Sequence, residues 1–211
     1  MSSTKIISEI IRIAVEPTFK LASPAFARLR ATSVAEGGVR EQYYGFPQGE
    51  RRHLCWVIQW PQSGPLQTAS FRDELKALDA KESPVSWLVP FDDASQPRRA
   101  LVAHCAQLCT VPLKPGTDVH APALAASLHK TYSDCYEAAG FTGGYWGPAL
   151  ASNNSESERE LQVNWYYLGW ETRAAHDAYA GTPLFWLELN NLAPYMEGGE
   201  AEYYTFTQQL D

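Results

Sequence analysis

The chain has 211 residues, 45% hydrophobic and 19% charged, enough for one large folded domain or two small ones. Its net charge is −7 and its basic residues do not cluster, which excludes the electrostatic footprint of a nucleic-acid binder. Aromatic residues reach 12%, with seven Trp, eleven Tyr and eight Phe, a supply that suits either ring-filled cores or a ring-lined cavity.

Taken in order, Ile6 to Val15 is apolar and β-branched and reads as a strand. It is too short for a membrane span and is broken by Glu9 and Arg12, so no membrane partner is expected. Ser23-Pro24 opens a helix that runs over Phe26, Leu29 and Val34 to Gly37-Gly38. Val39 to Tyr44 and Arg52 to Trp60 are strands, and Thr68 to Ala80 is a helix with Phe71, Leu75 and Leu78 at helical spacing. Val85 to Phe91 is a fourth strand. Residues 92–100, polar and holding Pro97, read as a linker between a first repeat at 1–91 and a second at 101–211.

The pattern then starts again. Leu101 to Leu113 is an apolar strand, and Pro122 opens a helix striped by Leu124, Leu128 and Tyr132 that stops at Gly140. Tyr145-Trp146-Gly147-Pro148 echoes Tyr43-Tyr44-Gly45-Phe46-Pro47. Ser152 to Glu158 reads as a loop, and the strand Leu161 to Trp170 echoes Arg52 to Trp60, with Trp170 opposite Trp60. Thr172 caps a helix from Arg173, Gly181 interrupts it, and Thr182-Pro183 restarts it. Glu202 to Gln208 is the closing strand. Each half therefore reads β-α-β-β-α-β, a ferredoxin-like α+β order whose sheet needs a cover on its second face.

The turn Trp170-Glu171-Thr172 followed by Ala175-His176, a small-residue break and Thr182-Pro183 resembles the antibiotic-biosynthesis-monooxygenase-like group of dimeric α/β barrels. The resemblance implies two tandem ferredoxin-like repeats forming an intramolecular dimeric α/β barrel, a pseudo-dimer within one chain. Whether that pair dimerises again is left open. The first half departs from the pattern, because Trp60 is followed by Pro61 and a Pro/Gly loop. The resemblance further implies a pocket between sheet and helices, without cofactor, for a small hydrophobic molecule. Relatives that degrade haem carry a histidine further along the second helix. Here that region holds Leu189 and no histidine, which argues against a haem-degrading role.

His176 is the first candidate for chemistry, since an imidazole exchanges protons near neutral pH. Tyr167 and Asn164 are the polar counterparts on the preceding strand. Tyr145, Trp146, Trp165, Trp170 and Tyr179 are candidate substrate-binding rings, with Tyr44 and Trp56 as their first-half equivalents. Period two puts Trp165 and Tyr167 on one strand face and Tyr166 and Trp170 on the other, and does not say which face lines a pocket. His53, His104, His120 and His129 read as structural, and no His pair has a metal-binding spacing. Cys55, Cys105, Cys109 and Cys135 form no CxxC, which is expected of reduced thiols in a cytoplasmic protein.

Two functions fit these readings. One is a cofactor-independent enzyme of secondary metabolism that oxygenates, isomerises or cyclises an aromatic or polyketide-like molecule. The other is a non-catalytic small-molecule-binding or stress-associated protein using the same cavity. A working pocket in the second half should be the larger of the two.

Overall fold

The computed structural model describes residues 5–51, 53–118, 121–152 and 162–210. Arg52, His120, Leu161 and most of the Ser152–Glu158 run lie outside the described residues. The chain divides into two units. Unit 1 holds Met1–Ala94 with the segments Leu150–Asn154 and Thr205–Asp211, and unit 2 holds Ser95–Ala149 and Ser155–Tyr204.

Unit 1 runs β1 (Ile6–Ala14), α1 (Pro24–Ala35), β2 (Glu41–Gly45), β3 (His53–Pro61), α2 (Ala69–Leu78) and β4 (Val85–Phe91). β1 lies between β3 and β4 and pairs antiparallel with both, so the order is β2-β3-β1-β4, as a ferredoxin-like fold requires. The Ser23 hydroxyl accepts from Phe26 N–H, and Pro24 sits at the first helical position where its missing donor costs nothing. The buried face is dense. Phe26 meets Trp56 edge-on at 5.2 Å, and Phe71 meets Trp60 edge-on at 6.1 Å. All four rings are fully buried.

Unit 2 begins with α3 (Ser95–Leu101). This corrects the expected linker: Pro97, Ala100 and Leu101 are buried, and apolar side chains placed three and four apart form a helix once a surface receives them. The strand expected from Leu101 accordingly starts later, as β5 (Cys105–Pro112). Next come α4 (Pro122–Ser133), a 3₁₀ turn (Asp134–Glu137), β6 (Phe141–Pro148), β8 (Val163–Trp170), α5 (Arg173–Ala180), α6 (Pro183–Leu192) and β9 (Glu200–Tyr204). The helix expected to run to Gly140 ends earlier, at Ser133, and Gly140, at φ +83°, turns the chain into β6. The order β6-β8-β5-β9 repeats that of unit 1.

The expected closing strand also needs correction. It ends as β9, and the chain resumes as β10 (Thr207–Leu210), which pairs with β2 in the unit 1 sheet. β7 (Ala151–Ser152) pairs with β4 on the opposite edge of that sheet. Segments from late in the chain thus cover both edges of the first sheet, and bare edges are otherwise templates for aggregation.

Gly144 on β6 faces the Tyr167 carbonyl so closely that a Cβ there would overlap it. Gly144→Ala is expected to cost about 2 kcal/mol, read as a lowered urea midpoint. Gly181→Ala is the control: its φ is −82° and the nearest atom to a new Cβ is 3.5 Å away, so the midpoint should hold.

Candidate active site

Thr172 and Thr182 build the roof of the site. The Thr172 hydroxyl accepts from Ala175 N–H and starts α5, and the Thr182 hydroxyl accepts from Phe185 N–H and starts α6. Gly181 between them lets the chain turn. Unit 1 has a single helix, α2, at the corresponding place. With two helices in that place, a cavity of about 450 Å³ stands over the β5, β8 and β9 face of unit 2. Its lining is mostly apolar, including Leu168, Trp170, Tyr179, Phe185, Leu189 and Leu192. Gln107, His176 and Tyr203 form its main polar group, a composition suited to a hydrophobic ligand oriented at one point.

Those three side chains and Trp170 are joined. The Trp170 indole N–H donates to Gln107 Oε1 at 2.8 Å. An indole nitrogen only donates, so the amide oxygen must face it and the amide NH₂ points the other way. That NH₂ lies 3.2 Å from His176 Nε2 and 3.1 Å from the Tyr203 hydroxyl. On the other side of the ring, His176 Nδ1 lies 3.0 Å from Asp177 Oδ1. Asp177 also accepts from Arg173 Nε at 2.7 Å, and the Arg173 guanidinium stacks 3.5 Å over the Tyr203 ring.

These contacts assign the tautomer. A carboxylate at Nδ1 and an amide donor at Nε2 both call for Nδ1–H with a lone pair on Nε2. Burial pushes the imidazole pKa down, and the neighbouring Asp177 carboxylate only partly opposes it, with the Arg173 charge adding to the fall. His176 is therefore neutral at pH 7, with Nε2 as its basic nitrogen. The Tyr203 hydroxyl is 3.1 Å from each ring nitrogen, and burial raises its own pKa, so it is a neutral donor.

Unit 1 repeats the arrangement with other residues. Trp60 pairs with Ile7 and Trp170 with Cys105, so Glu9 and Gln107 hold the same register two residues on. Arg72 and His176 are each four residues past the helix caps Thr68 and Thr172. Trp60 N–H donates to Glu9 Oε2 at 2.8 Å, and Arg72 sits 3.3 Å from Glu9 Oε1. Unit 1 thus carries an ion pair where unit 2 carries Gln107 and His176. Phe71 of unit 1, which packs against Trp60 and Trp56, corresponds to the methyl of Ala175 in unit 2.

The structure brings together His176, Trp170 and Tyr179 from the sequence candidates, all on the cavity wall. Tyr145 and Trp146 pack beside the α4 rings and Tyr166 without lining it. Trp165, Tyr167 and Asn164 are buried on β8 and do not line it, and Trp165 and Tyr167 lie on the opposite strand face from Trp170. Tyr44 and Trp56 belong to the unit 1 core. Sequence reasoning missed Gln107 and Tyr203. The signal for Gln107 was present as a polar residue at the same position of two aligned, largely apolar strands, Glu9 and Gln107, but Glu9 was weighed only as a break in a hydrophobic run. Among the described residues, no three His, Cys, Asp or Glu side chains come together as metal ligands.

Compared by sequence, the chain matches no protein-family model and no curated protein. Compared by structure, it is similar to a "putative monooxygenase" from Lactobacillus acidophilus NCFM, with a TM-score of 0.61, 10% identity, and 99% of this chain and 97% of that one covered. A "putative monooxygenase" from Fusobacterium nucleatum gives 0.60 at 9% identity, covering 100% and 96%. An "anthrone oxidase-like protein" gives 0.59 at 11%, covering 97% and 93%. The shared fold spans the whole chain and includes both ferredoxin-like repeats. At these identities the likeness is one of fold.

The lowered His176 pKa has a stability signature. Below 6.5 the unfolded chain takes up a proton that folded His176 resists, so stability falls as pH drops from 6.5. Asp177, held below its usual 3.8 first by the Arg173 hydrogen bond, contributes stability lost only at more acid pH. Urea midpoints between about pH 6.5 and 5 should decline in the wild type and decline less in His176→Gln.

Proposed function

We propose that unit 2 is a cofactor-independent enzyme site for a small, flat, hydrophobic molecule bearing a carbonyl or hydroxyl group, with His176 as base. The observation that carries this reading is a neutral imidazole on the wall of an apolar cavity, within hydrogen-bond distance of a hydroxyl and an amide that also line it. Buried polar groups collected at one point of an apolar cavity orient a ligand rather than stabilise a core.

A carbon acid whose carbanion is stabilised by rings would displace the Gln107 N–H from His176 Nε2 and lose its proton to that nitrogen, and Tyr203 O–H and the freed Gln107 N–H would hydrogen-bond the developing enolate oxygen. With dioxygen as co-reactant, the four electrons of the two C–H bonds broken at that carbon reduce O₂. One oxygen atom becomes a new carbonyl on that carbon and the other leaves as water with the two hydrogens removed. Without dioxygen, return of the proton at another carbon gives isomerisation. The fold shared with an "anthrone oxidase-like protein" makes anthrone a reasonable probe. Its oxidation to the quinone follows this balance: one substrate and one O₂ give one quinone and one water.

The test is oxygen uptake with anthrone under air. Wild-type protein should consume O₂ and form quinone, and His176→Ala should be about 10² to 10⁴ times slower. Leu189→Trp, which places a large ring in the cavity, should weaken binding. Binding of anthrone without turnover would favour the carrier reading, and absence of both binding and turnover would overturn the enzymatic one.

A further inference from the structure

We infer that Gln107 is a positioning residue for His176: gripped by the Trp170 indole, its amide keeps the imidazole neutral and makes Nε2 the proton acceptor. This rests on the reading of His176 as the site's base, and adds what fixes the form of that base.

Three features carry the inference. First, Gln107 cannot turn over freely. Reversing its amide would put NH₂ against the Trp170 N–H, two donors face to face in a buried site, and leaving a buried donor unpaired costs about 1–3 kcal/mol. Second, the fixed amide sends N–H toward His176 Nε2. A proton there would meet that N–H, so protonation must first break the Trp170–Gln107–His176 chain. Third, unit 1 shows the alternative outcome of the same frame. There Trp60 grips a carboxylate, Glu9, and the residue at the His176 position is a permanent cation, Arg72. An acid at this strand position goes with a charged partner, and an amide goes with a neutral one.

Of the other groups facing His176, only Asp177 favours one nitrogen, and it does so by holding a proton on Nδ1 without keeping one off Nε2. On its own helix, Asp177 approaches Nδ1, and Arg173 acts through Asp177 and through its charge. From β9, Tyr203 is equidistant from both nitrogens and prefers neither. From β8, Trp170 contributes a ring edge at 5.3 Å and no titrating group. The β5 thiols Cys105 and Cys109 bear on Tyr203. Asp177 alone would stabilise a doubly protonated ring as readily as the Nδ1–H tautomer. The amide at position 107 is what opposes the second proton.

The experiment is nuclear magnetic resonance of the full chain with ¹⁵N-labelled histidine, reading both ring nitrogens from about pH 5 to 8, where histidine titrates. His176→Gln assigns the signal. In the wild type, Nδ1 should carry the proton, Nε2 should show the shift of an unprotonated nitrogen, and the midpoint should lie below 6.5. Gln107→Glu keeps an acceptor for Trp170, as Glu9 does for Trp60, and should raise the midpoint by about one to three pH units with a proton gained at Nε2. Trp170→Phe removes the grip and should raise the midpoint, with Nδ1 still protonated beside Asp177 and a proton gained at Nε2.

A wild-type ring protonated at Nε2 would overturn the inference. So would Gln107→Glu with the wild-type tautomer and midpoint. Should Gln107→Glu fail to fold, the wild-type tautomer and Trp170→Phe decide. None of these readings needs a ligand. A protein that shows the expected tautomer yet neither binds nor oxidises anthrone would sink the proposed function and leave the role of Gln107 standing.

Discussion

A buried indole N–H that must find an acceptor governs both halves of this protein. Trp60 and Trp170 each end a central strand, each is fully buried, and each donates at 2.8 Å to the same position of the neighbouring strand. A buried donor left unpaired costs more than a made hydrogen bond returns, so this position is held to an oxygen-bearing side chain. The remaining freedom is whether that oxygen belongs to a carboxylate or an amide. Glu9 brings Arg72 into a closed ion pair under a filled core. Gln107 brings a neutral histidine to the wall of a cavity. One strand position thereby separates a closed ion pair from a neutral polar group on a cavity wall.

The space above the site has a separate origin. In unit 1, Phe71 packs on Trp60 and Trp56 under a single helix. In unit 2, Ala175 stands at the matching helical position, and a second helix, capped by Thr182, forms a roof of Phe185, Leu189 and Leu192. The break after Ala180 and the Thr182-Pro183 restart place that second helix over the sheet, and the cavity and the neutral base coincide in the second unit.

Much of this was legible in the sequence because it rests on local chemistry. The caps at Ser23, Thr172 and Thr182 and the repeat of Trp60 in Trp170 are all short-range signals, and each appears as read. His176 was found because a titratable residue in a recognisable turn stands out. What the sequence hid depends on register. Gln107 and Tyr203 are 96 residues apart, and they meet His176 only because β5 pairs with both β8 and β9. Period two correctly parted Trp165 and Tyr167 from Trp170, yet no local signal says which face meets the helices. Residues 92–100 looked like a linker because they are mostly polar and hold Pro97, yet Pro97 and Ala100 are buried in α3. The closing strand divides between two sheets, a choice made by distant partners.

The account turns on one frame serving as a lock in one half and a site in the other, and it is tested most directly by transplanting the lock. A Gln107→Glu/His176→Arg double variant places the unit 1 residues in unit 2, and anthrone binding can be followed by quenching of tryptophan fluorescence alongside the thermal transition. A variant that melts near the wild type but no longer binds or oxidises anthrone is the result predicted. A stable variant that binds and oxidises anthrone like the wild type would contradict the account, because the neutral His176 and its amide partner would then have no part in what the cavity does.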